Sequence, residues 1–100
     1  MNIKPHVQKL LVSGTEEISA VNANKLLRRI KAALRPNHRC LDIDLSATRF
    51  IDSTGLGILV GLHQFMQERN GKMRLLSPCR QVQQLIEFTR LNRFFEVAST

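Results

Sequence analysis

Asp52 and Ser53 sit inside the run Phe50-Ile51-Asp52-Ser53-Thr54-Gly55-Leu56-Gly57, between an apolar strand pattern and the longest apolar segment of the chain. A turn that feeds a helix here would set a side-chain oxygen of Asp52 or Ser53 against the unpaired N–H groups of the first helical turn. Those N–H groups, and the helix dipole, favour an anion at that point. A phosphate on Ser53 would be tolerated locally, which is the chemistry of a covalent switch rather than of turnover. Ser53 lies in no G-x-S-x-G elbow. His63 follows ten residues on along the same predicted helix, about 15 Å by helical rise, too far to activate the hydroxyl.

Other residue sets carry less. Asp42 and Asp44 are a carboxylate pair of the kind used in acid–base work. As alternate residues of one strand, they read better as the polar face of a sheet covered chiefly on one side. Gly55-Leu56-Gly57-Ile58-Leu59-Val60-Gly61 has a G-x-G start, but it begins ten positions past Leu45, and the next strand ends Leu75-Leu76-Ser77 with no acid for a ribose. No Walker lysine follows the glycines. Cys40 and Cys79 have no CxxC spacing and read as reduced, partly buried thiols. His6, His38 and His63 are scattered over separate elements. The expectation is no catalytic residue, no metal site and no cofactor.

Gly55, Gly57 and Gly61 each cost a helix interior about 1 kcal/mol against alanine, so roughly 2–3 kcal/mol must be offset. Close approach of a neighbouring backbone would do it, from the chain's own sheet or from a partner.

The elements that must hold this stretch follow from periodicity. Residues 7–12 read as a first strand, ended by Ser13-Gly14, with a weaker strand signal at Ile3-Lys4. Residues 19–34 read as a helix with Ala23, Leu26, Leu27, Ile30 and Leu34 on one face, a Ser19 or Asn22 cap and Pro36 as the stop. Residues 39–45 alternate Leu41, Ile43 and Leu45 against Asp42 and Asp44 as the next strand. Residues 53–70 form the second helix, with Gly71 as its stop. The first half of that helix, Leu56, Ile58, Leu59, Val60 and Leu62, is apolar nearly all round. A sheet can cover only one side of it, so the other side is a candidate partner surface. Residues 72–76 are a strand. Ser77-Pro78 reads as the start of a third helix over 79–89. Leu91 and residues 94–97 close the chain with a short strand or a docked tail. The expected fold is α/β, a single small domain over residues 1–100. Its central sheet is mixed or parallel, of about four strands, with crossover helices in β-α-β-α-β-α order.

Leu41-Asp42-Ile43-Asp44-Leu45, a short loop, the Asp-Ser-Thr-Gly-Leu-Gly run and the ending Leu91-Asn92-Arg93-Phe94-Phe95 together resemble the STAS domain family over about residues 11–97. That family includes bacterial anti-sigma factor antagonists. The resemblance implies a protein-binding switch. The antagonist captures an anti-sigma factor that is also an ATP-dependent serine kinase. Phosphorylation of the motif serine breaks the complex, and a phosphatase resets it. Carried over, Ser53 is the phosphate acceptor and Asp52 holds the loop or caps the helix. Thr54 stands where many members have a second serine, and Gly55, Leu56 and Gly57 make the docking surface. STAS domains also serve as regulatory subunits of bacterial lipid-transport ABC systems, which is the alternative within the family.

Composition bounds the rest. One hundred residues, 43% of them hydrophobic, suit one domain with one modest core. Fifteen Lys and Arg against eight Asp and Glu leave a net charge of +7. Residues 25–35 carry Lys25, Arg28, Arg29, Lys31 and Arg35 and no acid. This is either a solvated helix face or an electrostatic surface for an acidic protein, an anionic membrane or nucleic acid. A basic nucleic-acid-binding module is the alternative of a different class. Five Phe at apolar positions, with no Tyr and no Trp, give it no stacking platform. Residues 1–11 are polar and broken by Pro5, unlike a signal peptide, and no apolar run approaches the ~20 residues of a membrane span. The expected location is cytoplasmic, without membrane insertion.

Overall fold

The computed structural model describes residues 1–98. In chain order they form β1 (Asn2–Pro5), β2 (Lys9–Ser13), β3 (Glu17–Ile18), α1 (Ala23–Ala33), β4 (Cys40–Asp44), β5 (Phe50–Ile51), α2 (Ser53–Glu68), β6 (Lys72–Leu76), α3 (Arg80–Phe88), a 3₁₀ turn at Leu91–Arg93 and β7 (Glu96–Ala98). Five strands make one mixed, mostly parallel sheet in the order β1-β2-β4-β6-β7, in which only β1 runs antiparallel to its neighbour. β3 and β5 form a separate parallel pair. The expected α/β fold is present, with five strands in the main sheet.

The alternation in β4 decides which face is covered. Leu41 and Ile43 line up with Leu10 and Val12 of β2 and with Met73 and Leu75 of β6. These six residues belong to one buried cluster, shared with Ala23, Leu26 and Ile30 of α1, with Ile58, Leu59, Leu62 and Met66 of α2, and with Val82 and Ile86 of α3. A strand turns alternate side chains to opposite faces, so Leu11, Asp42 and Arg74 share the opposite face.

On that face Asp42 is fully buried, although the carboxylates there read as a solvated polar row. Arg74 grips it with both nitrogens, Nε to Oδ1 at 2.8 Å and Nη2 to Oδ2 at 2.5 Å, and Lys9 Nζ stands 3.5 Å away. Cys40 Sγ donates to the same carboxylate at 3.0 Å. Burial alone would raise the Asp42 pKa. The hydrogen bonds from Arg74 and Cys40 and the positive charges of Arg74 and Lys9 outweigh it and hold the carboxyl below its usual range. Asp44, at the end of β4, accepts from the Ser46 N–H at 2.9 Å and shapes the following turn.

Several boundaries shift for identifiable reasons. Val7 lies in the β1–β2 turn, closed by the His6 N–H to the Lys9 carbonyl at 2.7 Å, so β2 starts at Lys9. The N-terminal strand pair is therefore formed, with β1 as its first member. α1 starts at Ala23 because residues 19–22 fold into a side-chain-bonded turn. Asn22 Oδ1 accepts from the Ser19 N–H, and the Ser19 hydroxyl donates to Glu17. α2 ends at Glu68, and Asn70, at φ 58°, takes the left-handed position expected of Gly71. Gly71 is needed for close approach instead, since a Cβ there would lie 2.8 Å from the Arg39 carbonyl oxygen. Ser77 is also left-handed, at φ 51°, so Ser77-Pro78 is a turn before the helix and Cys79 takes the N-cap position.

Removing the Arg74 fork leaves a buried carboxylate short of its main partner, which costs about 3–5 kcal/mol. Arg74→Leu is expected to lose stability of that order at pH 7 in urea unfolding. The folded pKa of Asp42 is depressed, so the pair's contribution is complete above the unfolded carboxylate pKa of about 3.9 and fades as pH falls through the folded value. The gap between wild type and Arg74→Leu should therefore narrow near pH 3. An equal gap at both pH values would mean the carboxylate is not what Arg74 holds.

Candidate functional site

The helix mouth is built by the small β3–β5 pair. Glu17 faces Phe50 and Ile18 faces Ile51, and the Arg49 N–H donates to the Glu16 carbonyl at 2.8 Å. The loop between β4 and β5 is anchored by the fully buried Thr48, whose hydroxyl donates to the Thr15 carbonyl at 2.5 Å. Cys79 Sγ ties the same loop to the start of α3 by donating to the Thr48 carbonyl at 3.4 Å. This pair delivers Asp52 to the N-cap of α2 in an extended conformation.

Both Asp52 oxygens are engaged. Oδ2 accepts from the Ala20 N–H at 2.9 Å and Oδ1 from the Gly55 N–H at 2.8 Å, while the Asp52 N–H donates to the Ile18 carbonyl at 3.3 Å. These backbone donors, Ala20's first and Gly55's next, hold the Asp52 carboxyl below the usual carboxylate range. Asp52 is thus both helix cap and loop clasp, and it is not free to serve as a base for its neighbour.

Ser53 opens α2 and is exposed, and its hydroxyl bonds to no other described residue. Thr54 and Gly57 are exposed, Leu56, Val60 and Gly61 are half-buried, and Gly55 is buried. The three glycines divide. A Cβ on Gly55 would lie 2.0 Å from the Ile18 carbonyl oxygen, so this glycine is what lets β3 touch the first turn of α2. A Cβ on Gly57 or Gly61 would meet nothing within 4 Å. Their helix cost is not offset inside the domain. Phe50, in the strand that leads into α2, is 55% exposed at the rim of a groove it shares with Arg49, Gln81 and Leu85.

The structure brings Asp52, Ser53, Thr54, Leu56 and Gly57 to one surface and sets Gly55 beneath it. It does not bring a histidine to Ser53. His38 is buried, its Nδ1 accepting from the Arg35 N–H at 3.0 Å. His63 packs edge-on against Phe95 and Phe94, with ring centroids 5.5 and 6.3 Å away. Among the described residues no three His, Cys, Asp or Glu side chains cluster as metal ligands. Ile18 and Ala20 contribute only backbone groups, from more than thirty positions away in sequence, so no residue type announces them.

Residues 1–100 match the STAS domain family. The chain belongs to that family. A curated relative, the anti-sigma-B factor antagonist of Listeria monocytogenes, is 30% identical over 88 residues, covering 88% of this chain and 75% of the relative. The crystal structure of an anti-sigma factor antagonist from Mycobacterium paratuberculosis has a TM-score of 0.85 at 28% identity, covering 99% of this chain and 84% of that one. The phosphorylated form of the Bacillus cell fate determinant SpoIIAA shares the fold, with a TM-score of 0.75 at 16% identity over 97% of this chain and 89% of that one. This STAS domain thus has anti-sigma factor antagonists among its relatives.

The site geometry makes opposite predictions for adjacent glycines. Gly55→Ala must drive the Ile18 carbonyl away and is expected to lower the melting temperature sharply. Gly57→Ala gains helix propensity in open space and should raise stability by about 0.4–1 kcal/mol. Equal effects of the two in thermal unfolding would contradict the asymmetry. Asp52→Ala removes the cap and the clasp together and should lower the melting temperature by about 4–8 °C. Because the folded pKa of Asp52 is depressed, that deficit should shrink as pH falls below about 4.

Proposed function

We propose that this STAS domain is an anti-sigma factor antagonist. It binds an anti-sigma factor of the serine-kinase type through the first turns of α2 and is released when Ser53 is phosphorylated. One observation carries the reading. An unbonded, exposed Ser53 hydroxyl begins a helix whose outward glycines, Gly57 and Gly61, have room that nothing in the domain fills. A partner backbone seated there would offset the helix cost of both. The Listeria relative's name and the phosphorylated state in which SpoIIAA was solved support the same reading. A phosphatase would close the cycle. Asp52, Ser53, Thr54, Leu56 and Gly57 form the docking surface in this reading, and Gly55 sets its height. The role is binding and not turnover.

The switch is electrostatic. A phosphate on Ser53 adds about −1.5 to −2 charges near pH 7. The N–H groups and dipole of α2 receive it with about 0.3–1 kcal/mol of stabilisation, so the isolated domain stays folded. A docked partner would bury that charge unpaired, at several kcal/mol. A loss of roughly 3–4 kcal/mol weakens a complex by two to three orders of magnitude.

Ser53→Asp is expected to weaken binding to the cognate kinase by about that factor with little change in melting temperature, and Ser53→Ala to bind constitutively. Incubation with kinase and ATP followed by mass spectrometry should place the phosphate on Ser53. Phosphate on Thr54 alone, or wild-type affinity of Ser53→Asp, would sink the assignment.

A further inference from the structure

The cations grouped on α1 in the sequence are joined in the fold by others from distant elements. Lys9 of β2 and Lys72 of β6 both pair with Cys40 at the start of β4, which marks the end of the sheet where these parallel strands begin. The C-terminal ends of α1 and α2 come to the same end. There Arg69 Nη2 donates to the Arg35 carbonyl, and Arg39 Nη1 donates to the Pro36 carbonyl at 3.1 Å and the Arg69 carbonyl at 3.4 Å. Lys31 and Arg69 both sit over the Phe65 ring, 4.9 and 5.5 Å from its centroid. Six cations from five elements and loops thus share one end of the domain.

Little negative charge answers them. Asp42 is committed to Arg74 and Lys9, and Glu96 pairs with Lys72 at 3.6 Å. Glu68 is the acid among the residues lining the groove of about 380 Å³ between Pro36, Arg39, Phe65 and Arg69. Among the described residues the side chains of Lys31, Arg35, Arg39 and Arg69 have no ion-pair partner. Glu16, Glu17, Asp44 and Asp52 belong to the opposite end, at or beyond the C-terminal ends of β2 and β4 and at the mouth of α2. At the cationic end the β1–β2 turn also presents Val7, 83% exposed, its carbonyl tied to Asn37 Nδ2 at 2.6 Å beside Pro36.

We propose that this end of the domain docks on an anionic lipid bilayer. Guanidinium and ammonium groups spread over one end suit a plane of phosphate headgroups. An apolar side chain projecting among them supplies the second, interfacial contact that weak electrostatic attraction needs. A nucleic acid fits less well. Phe65 is engaged by Lys31 and Arg69, and an exposed valine gains nothing against a phosphodiester backbone. The sixteen residues of α2 span about 24 Å, so a domain seated this way holds Ser53 away from the membrane and open to solution. Docking at this end is independent of phosphorylation at the other.

The test is vesicle flotation of the full chain, with phosphatidylcholine alone and with about 30% phosphatidylglycerol added. The chain should float only with the anionic vesicles, and binding should fall at least about tenfold between ~0.1 M and ~0.5 M salt. Val7→Asp and Arg35→Glu, both at exposed side chains, should each reduce binding severalfold at unchanged melting temperature, and Ser53→Asp should leave it as in wild type. No flotation, equal flotation on neutral vesicles, or unchanged binding by both surface variants would overturn the proposal. So would binding to a duplex DNA fragment or to poly-glutamate in the same buffer without vesicle binding, which would reassign the surface to nucleic acid or to an acidic protein.

Discussion

The carbonyl of Ile18 is the point on which the site depends. It lies where a Gly55 Cβ would be, and it accepts the Asp52 N–H. A helix can approach a strand that closely only where the residue at the contact has no side chain. The contact sets the angle at which α2 leaves β5. That angle sends Ile58, Leu59, Leu62 and Met66 into the core and leaves Gly57 outside. Asp52 then locks the arrangement by bridging the Ala20 and Gly55 N–H groups. Ser53 needs no partner of its own to be positioned, because the residues on either side of it are held. A group kept in place by its neighbours is free to be modified without loosening the fold.

Charge is distributed with the same economy. The sheet has one face sealed by helices and one without them. A fully buried carboxylate in the middle of the second face would be costly unpaired. The Arg74 fork and Lys9 neutralise Asp42 locally, so this face adds little to the long-range field. Arg35, Arg39 and Arg69, without an ion-pair partner among the described residues, gather instead where both long helices end. Carbonyl groups at helix C-termini favour positive charge, and the Arg35 and Arg69 carbonyls accept from Arg69 and Arg39 there. The domain is consequently polarised, with its capped acid and its exposed serine at one end and Arg35, Arg39 and Arg69 at the other.

The sequence by itself determined the layer and the helix mouth. Alternation in residues 41–45 and helical spacing in residues 23–30 expose the buried face of each element directly, since those periods are local geometry. Asp52-Ser53 could be read as a helix mouth because capping is a contact among residues three apart. Tertiary structure decided the rest. The two-residue strands β3 and β5 are too short for any periodic signal and exist only because each supplies the other's hydrogen bonds. Gly55, Gly57 and Gly61 look alike in sequence, and only the position of Ile18 makes one of them a packing glycine and leaves two facing open space. Asp42 and Asp44 likewise look equivalent, but Arg74 reaches across from β6 and buries one of them. Arg39 and Arg69 give no sign in the chain that they stand beside Arg35, because the closing of that end of the sheet is a long-range event. Local physics is written in neighbouring residues, whereas a contact between backbones thirty positions apart depends on every element between them having first found its place.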